Sequence, residues 1–138
     1  MICYAVIDTN VLVSALLSSQ EDAATVQLIE RMFAGEIIPV YSREIMCEYQ
    51  DVLARKKFKF DALLVKSILQ AIEKYGILSN PAATGRSLPD VKDLPFYEAV
   101  MEKRNTGACL VTGNLKHFPK EPFIVTARQM LNILDRRE

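Results

Sequence analysis

The chain has 138 residues, half of them hydrophobic, which is enough for one buried core and too apolar for a disordered segment. Its 17 basic and 17 acidic side chains cancel. That balance excludes a blanket electrostatic grip on nucleic acid, so any phosphate-binding surface must be local or made by a bound cation.

Residues 3–8, CYAVID, read as a short, continuous and apolar central strand that ends on a carboxylate. A short helix is predicted from Asn10 to Leu17. SSQED at 18–22 is a turn leading into a helix over 22–34. There Ala23, Val26, Ile29, Met32 and Phe33 share one face, and Gly35 stops it. IIPVYS at 37–42 is a second strand, which Pro39 predicts to be an edge strand or to begin at the proline. Ser42 can cap a helix running to about Ala54. RKKFKF at 55–60 breaks the pattern. Asp61 opens a helix to Tyr75 with Leu64, Ile68, Leu69 and Ile72 on one side, Gly76 ends it, and ILS is a short strand.

Residues 80–95 hold three of the six prolines and form the longest irregular stretch. Asp93 can cap a helix from Leu94 to Lys103. ACLVT at 108–112 is a second central-strand candidate, GNLKHFPKEP a loop, and FIV at 123–125 the last strand. Thr126 and Gln129 fit a capping box for a final helix. Strands alternating with helices argue an α/β fold, with a parallel sheet between helices and no linker long enough to divide domains. In such sheets functional groups gather beyond the carboxyl ends of the strands. Cys3, Cys47 and Cys109 form no C-x-x-C pair and read as small core residues in a reducing, cytoplasmic setting. Neither a signal peptide nor a run of roughly 20 apolar residues is expected.

Four positions carry candidate chemistry. Asp8, with Thr9 and Asn10, reads as a helix cap, but three capping groups exceed what one helix start needs. Glu48 lies at the edge of a helix face formed by Ile45, Met46, Tyr49, Val52 and Leu53, where it either pairs with Arg55, is solvated, or joins other acids around a cation. Asp93, with Asp90 before it, stands at a helix start, where the dipole favours negative charge in any case. Thr112 and Asn114 follow a strand as a turn, or as groups holding water or phosphate. Taken together, they are three acids on separate elements that an α/β fold can bring to one strand-end cleft. Oxygen ligands suit Mg²⁺ or Mn²⁺, and two such ions roughly 3.5–4 Å apart activate water and stabilise a phosphodiester's leaving oxygen.

Other chemistries fit less well. His117 is the sole histidine, expected in a loop or on a phosphate, and no G-x-x-x-x-G-K-[ST] or G-x-G-x-x-G run occurs. The basic run ARKKFKF reads either as an RNA contact or as a solvated helix end with Phe58 and Phe60 in the core; the phenylalanines are expected in the core and the lysines stay open.

VIDTNVLVSAL, SREIMCEYQDVLARKKF, PDVKDLPFYEAV and LVTGNLKHFP, in this order and spacing, resemble the PIN-domain family of metal-dependent ribonucleases, many of them toxins of prokaryotic toxin–antitoxin pairs. The resemblance covers nearly the whole chain. It implies one PIN-like domain over 1–138 with a three-layer α/β/α fold around a parallel sheet. It also implies an endoribonuclease using Mg²⁺ or Mn²⁺ held by Asp8, Glu48 and Asp93, with Glu44 the alternative to Glu48. Thr9, Asn10, Thr112 and Asn114 would position water or phosphate. RNA, a cognate antitoxin and a second copy of the chain are the implied partners, with no membrane. Many members carry aspartate where this chain has Asn114, which removes one negative charge and leaves a second ion weakly held. The competing reading is a non-catalytic RNA-binding or antitoxin-binding module with a weakened metal site.

Overall fold

In a computed structural model describing residues 2–136, the CYAVI run forms β1 (Cys3–Ile7) at the centre of the sheet. Residue 1 and residues 137–138, the ends of the expected domain span, lie outside the described residues. Ala5, Val6 and Ile7 are buried on both faces, as a parallel central strand requires. β1 pairs with β2 (Ile37–Tyr41) on one side and β4 (Cys109–Val111) on the other. β3 (Ile77–Leu78) and β5 (Ile124–Val125) are the outer strands, giving an all-parallel order β3-β2-β1-β4-β5.

The helices are α1 (Thr9–Leu17), α2 (Ala24–Phe33), α3 (Arg43–Leu53), α4 (Ala62–Tyr75), α5 (Leu94–Glu102) and α6 (Ala127–Arg136). α2 packs with α1 and α6, while α3 packs with α4 and α5, and α5 lies along β1, β2 and β4. The result is the three-layer α/β/α arrangement expected of the sequence. Local capping behaves as the sequence predicts. Ser42 accepts from the Ile45 N–H at 3.2 Å, and Thr126 and Gln129 exchange hydrogen bonds at 2.9 and 3.2 Å. Among the described residues no helix is long and apolar enough to cross a membrane.

Several expectations are corrected. β2 is an interior strand beginning at Ile37, not an edge strand or one starting at Pro39. The proline is tolerated because β3 is short and pairs with β2 only from Val40 onward. Gly76 enters β3 beside it, so close that a Cβ there would stand 2.6 Å from the Pro39 carbonyl oxygen. Phe33 and Leu64 sit on the apolar faces of their helices yet are about half exposed, because no element covers those ends of α2 and α4. Cys47 is exposed on α3, not buried. Phe58 and Phe60 are both half-buried on a loop; Phe60 packs against the core, but Phe58 does not.

Candidate metal centre

The order of the strands reverses at β1, with β2 and β3 on one side and β4 and β5 on the other. The crevice between the carboxyl ends of β1 and β4 is the place where such sheets bind ligands. Asp8 is the residue after β1 and Thr112 the residue after β4. The Asp8 N–H donates to the Val111 carbonyl at 2.9 Å, and the Thr112 hydroxyl donates to Asp8 Oδ2 at 2.8 Å. Asn10 Nδ2 donates to the same oxygen at 3.2 Å, while its Oδ1 accepts from the Gly113 N–H at 3.0 Å. Among the described residues no side chain donates to Oδ1 of Asp8, while the Thr9 N–H donates to the carboxylate from the backbone. The buried Tyr49 hydroxyl donates to the Ile7 carbonyl and holds the end of β1 before Asp8.

Asp8 stands at the N-cap of α1, but its side chain makes no cap hydrogen bond. It is 5% exposed. Burial pushes its carboxyl from 3.8 up to about 6; the Thr112 hydrogen bond pulls the other way, and the charges of Asp93 and Glu48 push further up. A carboxylate buried among like charges is a group that a cation stabilises.

α3 delivers Glu48 to the same cleft, where it accepts from the Thr9 hydroxyl. The alternative partner Arg55 instead reaches Asp51, one turn before it, at 3.1 Å. Glu44, the other candidate on α3, is exposed and lines a separate hollow with Ser79, Asn80 and Glu98. Asp93 precedes α5 yet also makes no cap bond; Asp90 caps a short 3-10 turn over Val91–Asp93 by accepting from the Lys92 N–H at 2.9 Å. Asp93 Oδ2 faces His117 Nδ1 at 3.0 Å. Partial burial raises the Asp93 pKa, and the hydrogen bond and charge of His117 oppose the rise.

Asp8, Glu48, Asp90, Asp93, Asn114 and His117 thus line one open cleft of about 620 Å³. Within it Asp90, Asp93 and His117 offer ligand atoms all within 4.8 Å of one another, the one such group among the described residues. Asp8, Glu48 and Asp93 share the cleft but are set wider than that. Asn114 is exposed at the rim, its N–H donating to Thr112 Oγ1 at 3.0 Å. The proximity of His117 to Asp93 is what sequence reading missed. The two are 24 residues apart, and only the placement of the loop after β4 brings them together.

The donors fit a hard divalent ion: carboxylates dominate, Asp8 and Glu48 repel each other, and among the described residues no lysine or arginine pairs with Asp8, Glu48 or Asp93. The one imidazole is compatible with Mn²⁺ as well.

A family model described as the PIN domain matches residues 4–116. No curated protein and no solved structure matches the chain significantly. The match takes in Asp8, Glu48, Asp90, Asp93 and Asn114, and stops one residue before His117. Members of this family are generally metal-dependent nucleases. With its parallel sheet, its acids gathered at the point where strand order reverses, and that match over most of its length, the chain belongs to the PIN-domain family.

Proposed function

We propose that the protein is an endoribonuclease that hydrolyses RNA phosphodiester bonds with Mg²⁺ or Mn²⁺, and that it acts in the cytoplasm as the toxin of a toxin–antitoxin pair, with an antitoxin or a second copy of the chain as protein partner. The observation that carries the reading is Asp8, buried at the switch point with its carboxyl raised to about 6 beside two further acids. Asp8, Glu48 and Asp93 would hold the ion, with Asp90 and His117 next to Asp93. Such an ion supplies Lewis acidity, neutralising phosphate charge and making water a better nucleophile at neutral pH.

The chain's own groups do the positioning. Thr112 and Asn10 hold one oxygen of Asp8, Thr9 holds Glu48, and Tyr49 holds the strand end. Each acts through a carboxylate or the backbone, so each is a positioning residue. The protein should cleave single-stranded RNA in Mg²⁺ or Mn²⁺, and EDTA should abolish the cleavage. RNA that stays intact with both ions would leave a non-catalytic module as the better account.

Asn114 bears on how many ions are held. A neutral amide gives less electrostatic help than a carboxylate, so one firm position near Asp8 and Asp93 is expected, with a second ion weak. Asn114→Asp adds a charge at the exposed rim of the cleft and should tighten Mn²⁺ binding about tenfold without RNA. Calorimetric titration would read it. Equal affinity and stoichiometry in both proteins would make Asn114 a turn residue only.

A further inference from the structure

The run RKKFKF, left unassigned by the nuclease chemistry, forms a ridge between α3 and α4. It turns twice in succession: the Phe58 N–H donates to the Arg55 carbonyl at 3.1 Å and the Lys59 N–H to the Lys56 carbonyl at 3.2 Å. Lys59 takes φ of +55°, a left-handed conformation that is costly outside glycine and recurs at functional sites. The turn brings Phe58 and Phe60 face to face, their centroids 5.1 Å apart and their planes 6° from parallel. Phe60 is packed against the core. Phe58 lies on it and lines the same cleft as Asp8, Glu48 and Asp93. An aromatic ring is therefore stacked on Phe60 at the edge of the acidic site.

The charge around it is uncommitted. Lys56, Lys57 and Lys59 make no ion pair with any described residue, and no acid occurs from 55 to 60. The Lys57 ammonium rests 5.1 Å from the Phe58 ring centroid. This is a weak, exposed cation–π contact on a flexible stem, easily exchanged for another partner. Arg55 and Phe58 line the acidic cleft, while Lys56 and Lys59 line the neighbouring hollow between α3 and α4, so the neutral total of the chain resolves into an acidic cleft with a basic turn at its edge.

From this juxtaposition we infer that the 55–60 ridge is a docking platform for single-stranded RNA, one base stacking on Phe58 and the neighbouring phosphates meeting Lys56, Lys57 and Lys59. Stacking on an aromatic ring flanked by cations is how single strands are held without base-specific contacts. A base on Phe58 displaces the Lys57 ammonium from the ring and leaves it to a phosphate. Phe60 keeps the ring from turning as the strand arrives. The strand's next phosphates then extend into the cleft. The inference rests on the nuclease reading for its choice of RNA, but it is tested apart from cleavage.

The test is fluorescence anisotropy with a labelled oligouridylate of about 12 nucleotides, in EDTA so that no cleavage occurs. Phe58→Ala should raise Kd about tenfold, and Phe58→Tyr should restore the wild-type value. Replacing Lys56, Lys57 and Lys59 together with glutamine should flatten the slope of log Kd against log salt by about 2. Thermal melting of each variant checks that it is folded, and Phe58→Leu serves in place of the alanine variant if that one is not. Equal RNA affinity and equal salt slope in wild type and folded variants would overturn the inference, whatever becomes of the nuclease activity.

Discussion

Asp8→Asn should leave the metal-free protein more stable than the wild type while lowering RNA cleavage at least about 1,000-fold. The cause is the raised carboxyl. In the unfolded chain Asp8 ionises near 3.8, and in the folded protein near 6. Below the lower value both states are protonated and the residue costs nothing. Between the two, the unfolded state loses its proton first, so folding stability falls as pH rises. Above about 6 the full cost is present, at most about 3 kcal/mol for a shift of about two units. An asparagine amide keeps the acceptor for Thr112 and Asn10 and removes the charge that Glu48 and Asp93 repel. At pH 7 the variant should gain about 1–3 kcal/mol in EDTA, and the gain should vanish near pH 4. Urea melts at the two pH values would measure it. In saturating Mn²⁺ the order should reverse, because only the wild type binds the ion through a carboxylate there. A variant less stable than wild type without metal would instead make the Asp8 carboxylate a structural acceptor for Thr112 and Asn10.

The second large effect is steric and lies away from the cleft. Gly76 is not needed for its backbone angles, since its φ is −86°. It is needed for space. A Cβ at this position would stand 2.3 Å from the Ile72 carbonyl oxygen and 2.6 Å from that of Pro39. Neither is the end of a flexible side chain. Both belong to backbone that α4 and β2 hold in place. Gly76→Ala should therefore cost about 3 kcal/mol, at the upper end of overpacking, and loosen β3 before anything else. The urea midpoint should drop with the m-value unchanged. A loss below about 0.5 kcal/mol would mean that β3 shifts freely away from β2. Beyond β3 the buried Ser79 hydroxyl and the Asn80 N–H both reach Glu102 on α5, so a loosened β3 also slackens the segment that leads to Asp90 and Asp93.

What was legible in the sequence was what is local. The apolar runs ending at Asp8 and Thr112 gave the two strands that flank the crevice. Ser42 and the Thr126–Gln129 pair announced their helix starts, because a cap is made within one turn. Long-range placement was not legible. Pro39 reads as an edge residue by its missing donor, but whether a strand has one neighbour or two depends on where β3 begins, 38 residues later. Phe58 reads as core by hydrophobicity, but a left-handed Lys59 turns it onto Phe60 at the rim of the cleft. Asp8 and Asp93 both read as caps by position. Only the structure has their side chains turned from the helix starts, one toward Thr112 and the other toward His117.

The pairing of β1 with β4 also sets a clock. Asp8 and Thr112 are 104 residues apart, and the hydrogen bond between them closes the crevice. During synthesis at about 5–20 residues per second, that bond cannot form until some 5–20 s after Asp8 has been made. In that interval β1, β2 and β3 can pair, with Asp8 and Glu48 already present, but Asp93 is still being added and β4 is missing. A half-made chain therefore carries two of the acids and no closed crevice. On the proposed reading, the chain is inactive until nearly the whole sheet has been translated.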